Sequence, residues 1–166
     1  MRILLVDDDD GFRSAVLGLL IQGEGPVDVE EAADGEAAVS MASSRPPDLV
    51  LMDLTMPRVN GLEATRRLKT RWPDLPVIIL TVHDDPTYER TARAAGADAF
   101  LLKKTAGTAL WPAIARLVPP GSRREGSGVP GPGAQARGPL GWVGDRGDSP
   151  RVFGNSPDWR PVMRPL

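Results

Sequence analysis

From residue 1 to about residue 118, the chain alternates between two patterns of apolar residues. One pattern consists of short apolar runs, which are typical of strands in a sheet. The predicted strands are Ile3–Val6, Val27–Glu31, Leu49–Met52, Val77–Leu80 and Ala99–Leu102. The first, third and fourth runs are continuously apolar, as expected for parallel strands covered on both faces. The second run alternates apolar and acidic residues, so we expect it to lie at an edge of the sheet.

The other pattern fills the segments between these runs, where apolar residues recur at helical spacing. Examples are Phe12, Val16 and Leu19, then Ala37 and Met41, then Leu62 and Leu68, then Tyr88 and Ala92. We expect Asp10, Asp34 and Asn60 to cap helix N-termini. The last helix, roughly Gly107–Val118, is the weakest prediction, because Pro112 fits a helix only within its first turn. Five strands alternating with five helices predict an α/β fold with a doubly wound parallel sheet.

Residues 119–166 have a different composition. They contain 10 of the 18 glycines and 9 of the 17 prolines, and no periodic apolar pattern. Such a segment buries too little apolar surface to offset its ordering entropy, so we predict a disordered tail after a domain at residues 1–118. The tail is either inert or a weak anion-binding arm. The arm would use Arg123, Arg124, Arg137, Arg146 and Arg151.

The overall composition excludes several classes of protein. The chain has no cysteine and one histidine, so disulfide frameworks and sites built from Cys or several His residues are excluded. The net charge of −2 provides no overall basic field for nucleic acid. The apolar runs are too short for a membrane span or the core of a signal peptide. We therefore expect a soluble, cytoplasmic protein.

Polar and charged residues follow four of the predicted strands. Asp7 and Asp8 follow the first strand, Asp53 the third, Thr81 the fourth and Lys103 the fifth. Ligands of open α/β sheets bind beyond the carboxyl ends of the strands, so these side chains are expected to converge there.

Three crowded carboxylates resist joint ionisation, and a hard cation such as Mg²⁺ relieves that repulsion. An ionised aspartate can attack phosphorus, and a lysine can hold the phosphoryl oxygens. The residues themselves therefore predict phosphoryl transfer onto a carboxylate. Within residues 1–118, neither Gly-x-Gly-x-x-Gly nor Gly-x-x-x-x-Gly-Lys occurs, so nucleotide binding is not expected.

Four segments together carry a family resemblance over residues 2 to about 118. These segments are ILLVDDDDGFR, PDLVLMDLTMPRVNGLEA, LPVIILTVHDD and AGADAFLLKK. In this order and spacing they resemble the receiver domain of bacterial two-component response regulators. The most specific part is Asp-x-x-Met-Pro-x-x-x-Gly, from Asp53 to Gly61. The resemblance implies a flavodoxin-like sheet of strand order 2-1-3-4-5.

The resemblance also implies a role for each site residue. Asp53 would accept a phosphoryl group from the phosphohistidine of a sensor histidine kinase, and Thr81 and Lys103 would contact the phosphate. Mg²⁺ would be held by Asp8, Asp53 and the backbone carbonyl of Thr55, with Asp7 acting through a water.

Two further sets of residues are implied by the resemblance. Thr81 and Phe100 would form a conformational switch, although Phe100 is equally compatible with a plain core position. Thr55 and His83 would modulate dephosphorylation, with an inert loop histidine as the alternative. Thr81 and His83 are two residues apart, so strand alternation places them on the same side.

The sequence departs from the family in two places. Lys104 stands where the family often has proline. The receiver most resembles those of helix-turn-helix regulators, yet residues 119–166 do not have the pattern of such a domain. The chain is therefore predicted to be a single-domain regulator, or a regulator whose effector is truncated or lost, its tail then being a relic or out-of-frame translation.

The predicted function is phosphorelay signalling through a sensor kinase and an unidentified downstream effector. The protein is expected to be a phosphoacceptor rather than an enzyme, although it would promote its own phosphorylation and dephosphorylation. A homodimer is compatible with this prediction, whereas membrane or DNA binding is not expected. The alternatives are a DNA-binding transcriptional regulator and an inactive receiver that serves as a scaffold.

Overall fold

The computed structural model describes residues 1–119 except Glu24, together with two short strands further along the chain. The strands are β1 (Arg2–Val6), β2 (Asp28–Ala32), β3 (Leu49–Asp53), β4 (Val77–Thr81), β5 (Ala99–Leu102), β6 (Val143–Asp145) and β7 (Pro150–Val152). The helices are α1 (Asp10–Ile21), α2 (Gly35–Ser44), α3 (Gly61–Arg71), α4 (Pro86–Ala94) and α5 (Ala106–Leu117), and a 3₁₀ turn spans Lys103–Thr105.

The strands form one sheet in the order β2-β1-β3-β4-β5-β6-β7. The first five are parallel and have the predicted order 2-1-3-4-5, with the alternating strand β2 at the edge. Every residue of β3, β4 and β5 is buried, because helices cover both faces. The predicted flavodoxin-like architecture is confirmed.

The two faces of the sheet have separate apolar cores. On one face, Val50, Met52 and Ile79 pack with residues of α2, α3 and α4. On the other, Leu51 and Ile78 pack with residues of α1 and α5. Parallel strands with a core on each face leave one edge, at their carboxyl ends, open for a site.

Two predictions about helices need correction. Asp9, not Asp10, caps α1, because the Asp9 side chain accepts a hydrogen bond from the backbone N–H of Phe12. Pro112 lies well inside α5 rather than in its first turn. It is tolerated because it faces solvent, as does Thr108, whose carbonyl loses its usual helical donor. The predicted caps Asp34 and Asn60 are confirmed.

The predicted tail lies mostly outside the described residues, and the domain boundary at residue 118 stays a prediction. Six tail residues form strands: β6 pairs in parallel with β5 at Ala99 and Phe100, and β7 pairs antiparallel with β6. Without this pairing, β5 would be an open edge with unpaired backbone groups. The sequence pattern did not predict these two strands.

Among the described residues, none of the helices combines the length and the apolar character needed to cross a membrane.

Candidate functional site

The carboxyl ends of β1, β3, β4 and β5 bring the predicted site residues together. Val6 is in register with Met52, so the next residues, Asp7 and Asp53, leave neighbouring strands at the same level. Oxygens of Asp7, Asp8 and Asp53 lie within 4.8 Å of one another. Asp7 and Asp53 are buried, whereas Asp8 is exposed.

Lys103 is the cation that faces this cluster. Its Nζ lies 2.6 Å from Oδ2 of Asp7 and 3.3 Å from Oδ2 of Asp53. Its side chain is only 14% exposed, because it crosses the rim between α1 and the acidic residues. Asp7, Asp8, Asp53 and Lys103 are called the ionic side of the site below.

Burial and the carboxylates together set the charge balance of the ionic side. Burial raises the pKa of Asp53, the Lys103 charge lowers it and the Asp7 charge raises it, and the net pKa lies above the ordinary value. Burial lowers the pKa of Lys103, but its hydrogen bond to Asp7 and the charge of Asp53 outweigh this and raise it. One lysine therefore does not fully compensate the buried negative charge.

Thr55, Thr81 and His83 form the opposite, hydroxyl side of the site. The backbone N–H of His83 donates to Oγ1 of Thr81, at 3.1 Å. Nε2 of His83 lies 2.9 Å from Oγ1 of Thr55. The His83 ring also stacks on Tyr88 of α4, with ring centroids 4.3 Å apart. The structure therefore brings Thr55, Thr81 and His83 together, and their role in dephosphorylation stays a prediction.

The loop between β3 and α3 is held close to Asp53. A Cβ atom on Gly61 would lie 1.8 Å from the backbone oxygen of Asp53, so only glycine fits at this position. Arg58 has a left-handed φ of 64° and forms an ion pair with Asp34 at the start of α2. Hydrogen bonding by the N–H of Ala37, opposed by burial and assisted by the Arg58 charge, lowers the pKa of Asp34. The loop is therefore held at Gly61, next to Asp53, and at Arg58, next to α2.

Three oxygen donors around an incompletely compensated charge suit a hard divalent cation such as Mg²⁺. A nucleophilic carboxylate with an ammonium beside it can accept a phosphoryl group. No other group of three or more Asp, Glu or His residues within the described ranges has a comparable metal-binding geometry.

Comparison with known proteins agrees with this chemistry. The response regulator receiver domain family matches residues 3–115. The chain belongs to the response regulator receiver family. It is 40% identical over 114 residues to the transcriptional regulatory protein DegU of Brevibacillus brevis, covering 69% of this chain and 48% of DegU. It is 37% identical over 123 residues to the response regulator GacA of Pseudomonas viridiflava, covering 74% of this chain and 57% of GacA.

Solved structures give the same result. The signal receiver domain of the putative response regulator NarL from Mycobacterium tuberculosis has a TM-score of 0.62 and 32% identity, with 68% of this chain and 91% of that domain covered. A LuxR-family two-component response regulator from Aurantimonas sp. SI85-9A1 has a TM-score of 0.63 and 34% identity, with 68% and 81% covered. The receiver spans about half the length of the curated relatives that it matches.

Phe100, the second predicted switch residue of the receiver, is 3% exposed and packs in the core beneath α4. Its backbone is paired with Ile79 in β4, two residues before Thr81. The structure therefore shows its core position, and its role as a switch stays a prediction.

Sequence reasoning missed three residues that contact the receiver site. Arg13 donates to the backbone oxygen of Asp7, at 2.6 Å. The Phe12 ring lies under the Lys103 ammonium, and Tyr88 stacks on His83. In the sequence, Phe12 and Tyr88 belong to the apolar helical pattern. The sequence signal that was available for Phe12 and Arg13 is their place in the first turn of the helix that follows Asp7 and Asp8.

Proposed function

We propose that Asp53 is the phosphoacceptor of a two-component pathway and that a sensor histidine kinase is the donor. The observation that carries this proposal is the burial of Asp53 beside both a lysine and two further carboxylates. Such a carboxylate can act as a nucleophile, and the neighbouring ammonium can hold phosphoryl oxygens.

In the proposed transfer, an Asp53 carboxylate oxygen attacks phosphorus, and the bond between phosphorus and the donor's imidazole nitrogen breaks. The imidazole leaves and takes up a proton. Lys103 then bonds a phosphoryl oxygen in place of Asp7, and the hydroxyl of Thr81 bonds another. In a second, separate reaction, water attacks phosphorus and loses a proton, and the bond between phosphorus and the Asp53 oxygen breaks. Inorganic phosphate leaves and the Asp53 carboxylate is restored. The receiver would promote both reactions itself.

Bound Mg²⁺ would neutralise negative charge that builds up on the phosphoryl oxygens. The residues that would hold it are Asp8, Asp53 and the backbone carbonyl of Thr55, with Asp7 acting through a water. The oxygen donor set and the raised pKa of Asp53 support this assignment.

The decisive experiment measures phosphoryl incorporation from acetyl phosphate in the full chain. We expect a Mg²⁺-dependent, acid-stable and base-labile phosphate in the wild type and none in Asp53→Asn, because an amide is a poor nucleophile of nearly the same size. Asp9→Asn is the matched control: it removes a neighbouring carboxylate but keeps the side-chain cap of α1. Normal incorporation in Asp53→Asn would refute the proposal.

We infer that the phosphorylated receiver signals by changing its contacts with a partner, through Thr81 and Phe100, and that it acts in the cytoplasm. A homodimer is compatible with this inference. A second candidate function is DNA-binding transcriptional regulation, which is favoured by the name of its relative DegU. Salt-resistant, sequence-selective binding in a gel-shift assay at about 0.15 M salt would support that candidate.

A further inference from the structure

The ammonium of Lys103 has a different neighbour in each of three directions. Two neighbours are the carboxylates of Asp7 and Asp53, at 2.6 and 3.3 Å. The third is the face of the Phe12 ring, whose centroid lies 4.4 Å from Nζ. An ammonium has three N–H donors, so the carboxylates account for two of them and the aromatic ring covers the remaining side.

Phe12 is held in this place by its backbone and by its ring. Its N–H donates to the capping side chain of Asp9, at 3.0 Å, in the first turn of α1. The ring is partly buried and packs against the core beneath α1 and α5. The packing and the backbone hydrogen bond therefore hold the Phe12 ring in one position beside Lys103.

The face of an aromatic ring attracts a cation. Because the ring carries no net charge, it holds the cation less strongly than a carboxylate would. A lysine resting on such a face stays at the rim and remains able to exchange one anionic partner for another. In the proposed transfer, Lys103 has to make this exchange when it leaves Asp7 for a phosphoryl oxygen.

We propose that Phe12 is a positioning residue for phosphoryl transfer, because its ring holds the Lys103 ammonium between Asp7 and the incoming phosphoryl group. The inference rests on the role proposed above for Lys103. Leucine would fill most of the same apolar space without offering a negative ring face. A comparison of phenylalanine and leucine at position 12 therefore separates the effect of packing from the effect of the ring on Lys103.

The experiment compares phosphorylation rates with acetyl phosphate, a small donor that does not dock on α1 as a protein would. We expect Phe12→Leu to lower the rate by about threefold to tenfold, the range of a partly buried cation–π contact. Phe12→Tyr keeps the ring face and should stay within about twofold of the wild type. The affinity for Mg²⁺, measured calorimetrically, should be unchanged in both variants. Leu17→Ala is the control for packing on α1, because Leu17 packs against the same core and is not placed at Lys103.

Lys103→Met distinguishes a failure of the inference about Phe12 from a failure of the role proposed for Lys103. If Lys103→Met is slow and Phe12→Leu is as fast as the wild type, the inference about Phe12 is wrong and the proposed function stands. If Lys103→Met itself is as fast as the wild type, the proposed role of Lys103 fails first.

A double-mutant cycle gives a test that a merely structural role would not pass. Phe12→Leu should have no further effect in the Lys103→Met background, because the contact is already absent. Additive effects would overturn the inference. If Phe12→Leu does not fold, Phe12→Met takes its place in the same cycle, with the same expected result.

Discussion

The two sides of the site stabilise their polar groups in different ways. On the ionic side, buried carboxylates outnumber the single lysine that faces them, and the pKa of Asp53 is raised. On the hydroxyl side, the polar groups are hydrogen-bonded to one another: Thr81 accepts from the backbone N–H of His83, and the His83 ring is bonded to Thr55.

This difference separates two tasks. The ionic side carries negative charge that its lysine does not fully compensate, as expected where a cation and a phosphoryl group bind. On the hydroxyl side, Thr55 and His83 are bonded to each other, so changes at these two residues are expected to affect how long a phosphoryl group stays rather than whether it is accepted. The predictions below test that separation.

The largest effect is expected when the backbone under the ionic side is displaced. Gly61→Ala would place a Cβ atom 1.8 Å from the backbone oxygen of Asp53, and neither backbone can move cheaply. We expect a loss of about 2–3 kcal/mol in the free energy of unfolding, measured by urea denaturation, and almost no phosphorylation.

Gly18→Ala is the matched control for that substitution, since a Cβ on Gly18 would have no atom within 4 Å. Gly18 lies inside α1, so the change should raise the stability by about 0.5–1 kcal/mol. Equal losses in Gly61→Ala and Gly18→Ala would show that the close approach to Asp53 is unimportant.

A smaller effect of opposite sign is expected when the excess charge is removed. In EDTA at pH 7, Asp53→Asn should raise the thermal midpoint by about 3 °C, somewhat less than 1 kcal/mol for a domain of this size. A carboxyl whose pKa is raised by folding destabilises the fold only where the unfolded chain has lost its proton. The cost therefore appears as the pH rises through about 3.9 and is complete above the raised pKa of the folded state.

The difference between Asp53→Asn and the wild type should consequently vanish near pH 3. A midpoint for Asp53→Asn that is higher by the same amount at pH 3 and pH 7 would show that the Asp53 charge is not the cause. Asp9→Asn, which changes an exposed side chain that caps α1, should not raise the thermal midpoint at pH 7.

Some residues of the site could be predicted from the sequence, and others could not. Asp7, Asp53, Thr81 and Lys103 were predictable because each either is the last residue of a strand or directly follows one. Parallel strands end at one edge of a sheet. The contacts of Phe12 with Lys103 and of Tyr88 with His83 could not be predicted. Each contact joins two separate elements, and it depends on how those elements pack in three dimensions. The cap of α1 was misplaced by one residue, since four consecutive aspartates offer equivalent capping side chains.

On the hydroxyl side, we expect His83→Ala to speed dephosphorylation by about threefold, because the ring between Thr55 and Tyr88 narrows the path of water to phosphorus. The measurement is the decay of phosphorylated protein after the donor is removed. Phosphorylation rate and Mg²⁺ affinity should not change. Val82→Ala, at an exposed neighbouring position, is the control. Equal decay in His83→Ala and the wild type would assign His83 to the inert alternative.

The smallest effect is expected from deletion of residues 120–166. Within the described structure this removes β6 and β7, and β6 is in register with only Ala99 and Phe100. So short a pairing contributes little, and the Gly- and Pro-rich composition adds no core-forming pattern. The thermal midpoint and phosphorylation rate should therefore stay nearly unchanged.

A fall of more than about 5 °C in the thermal midpoint, the scale of ~1 kcal/mol, would show that the segment docks on the domain. Val143→Pro in the full chain would then reproduce the fall if the pairing with β5 is responsible, because proline lacks the N–H that a strand donates.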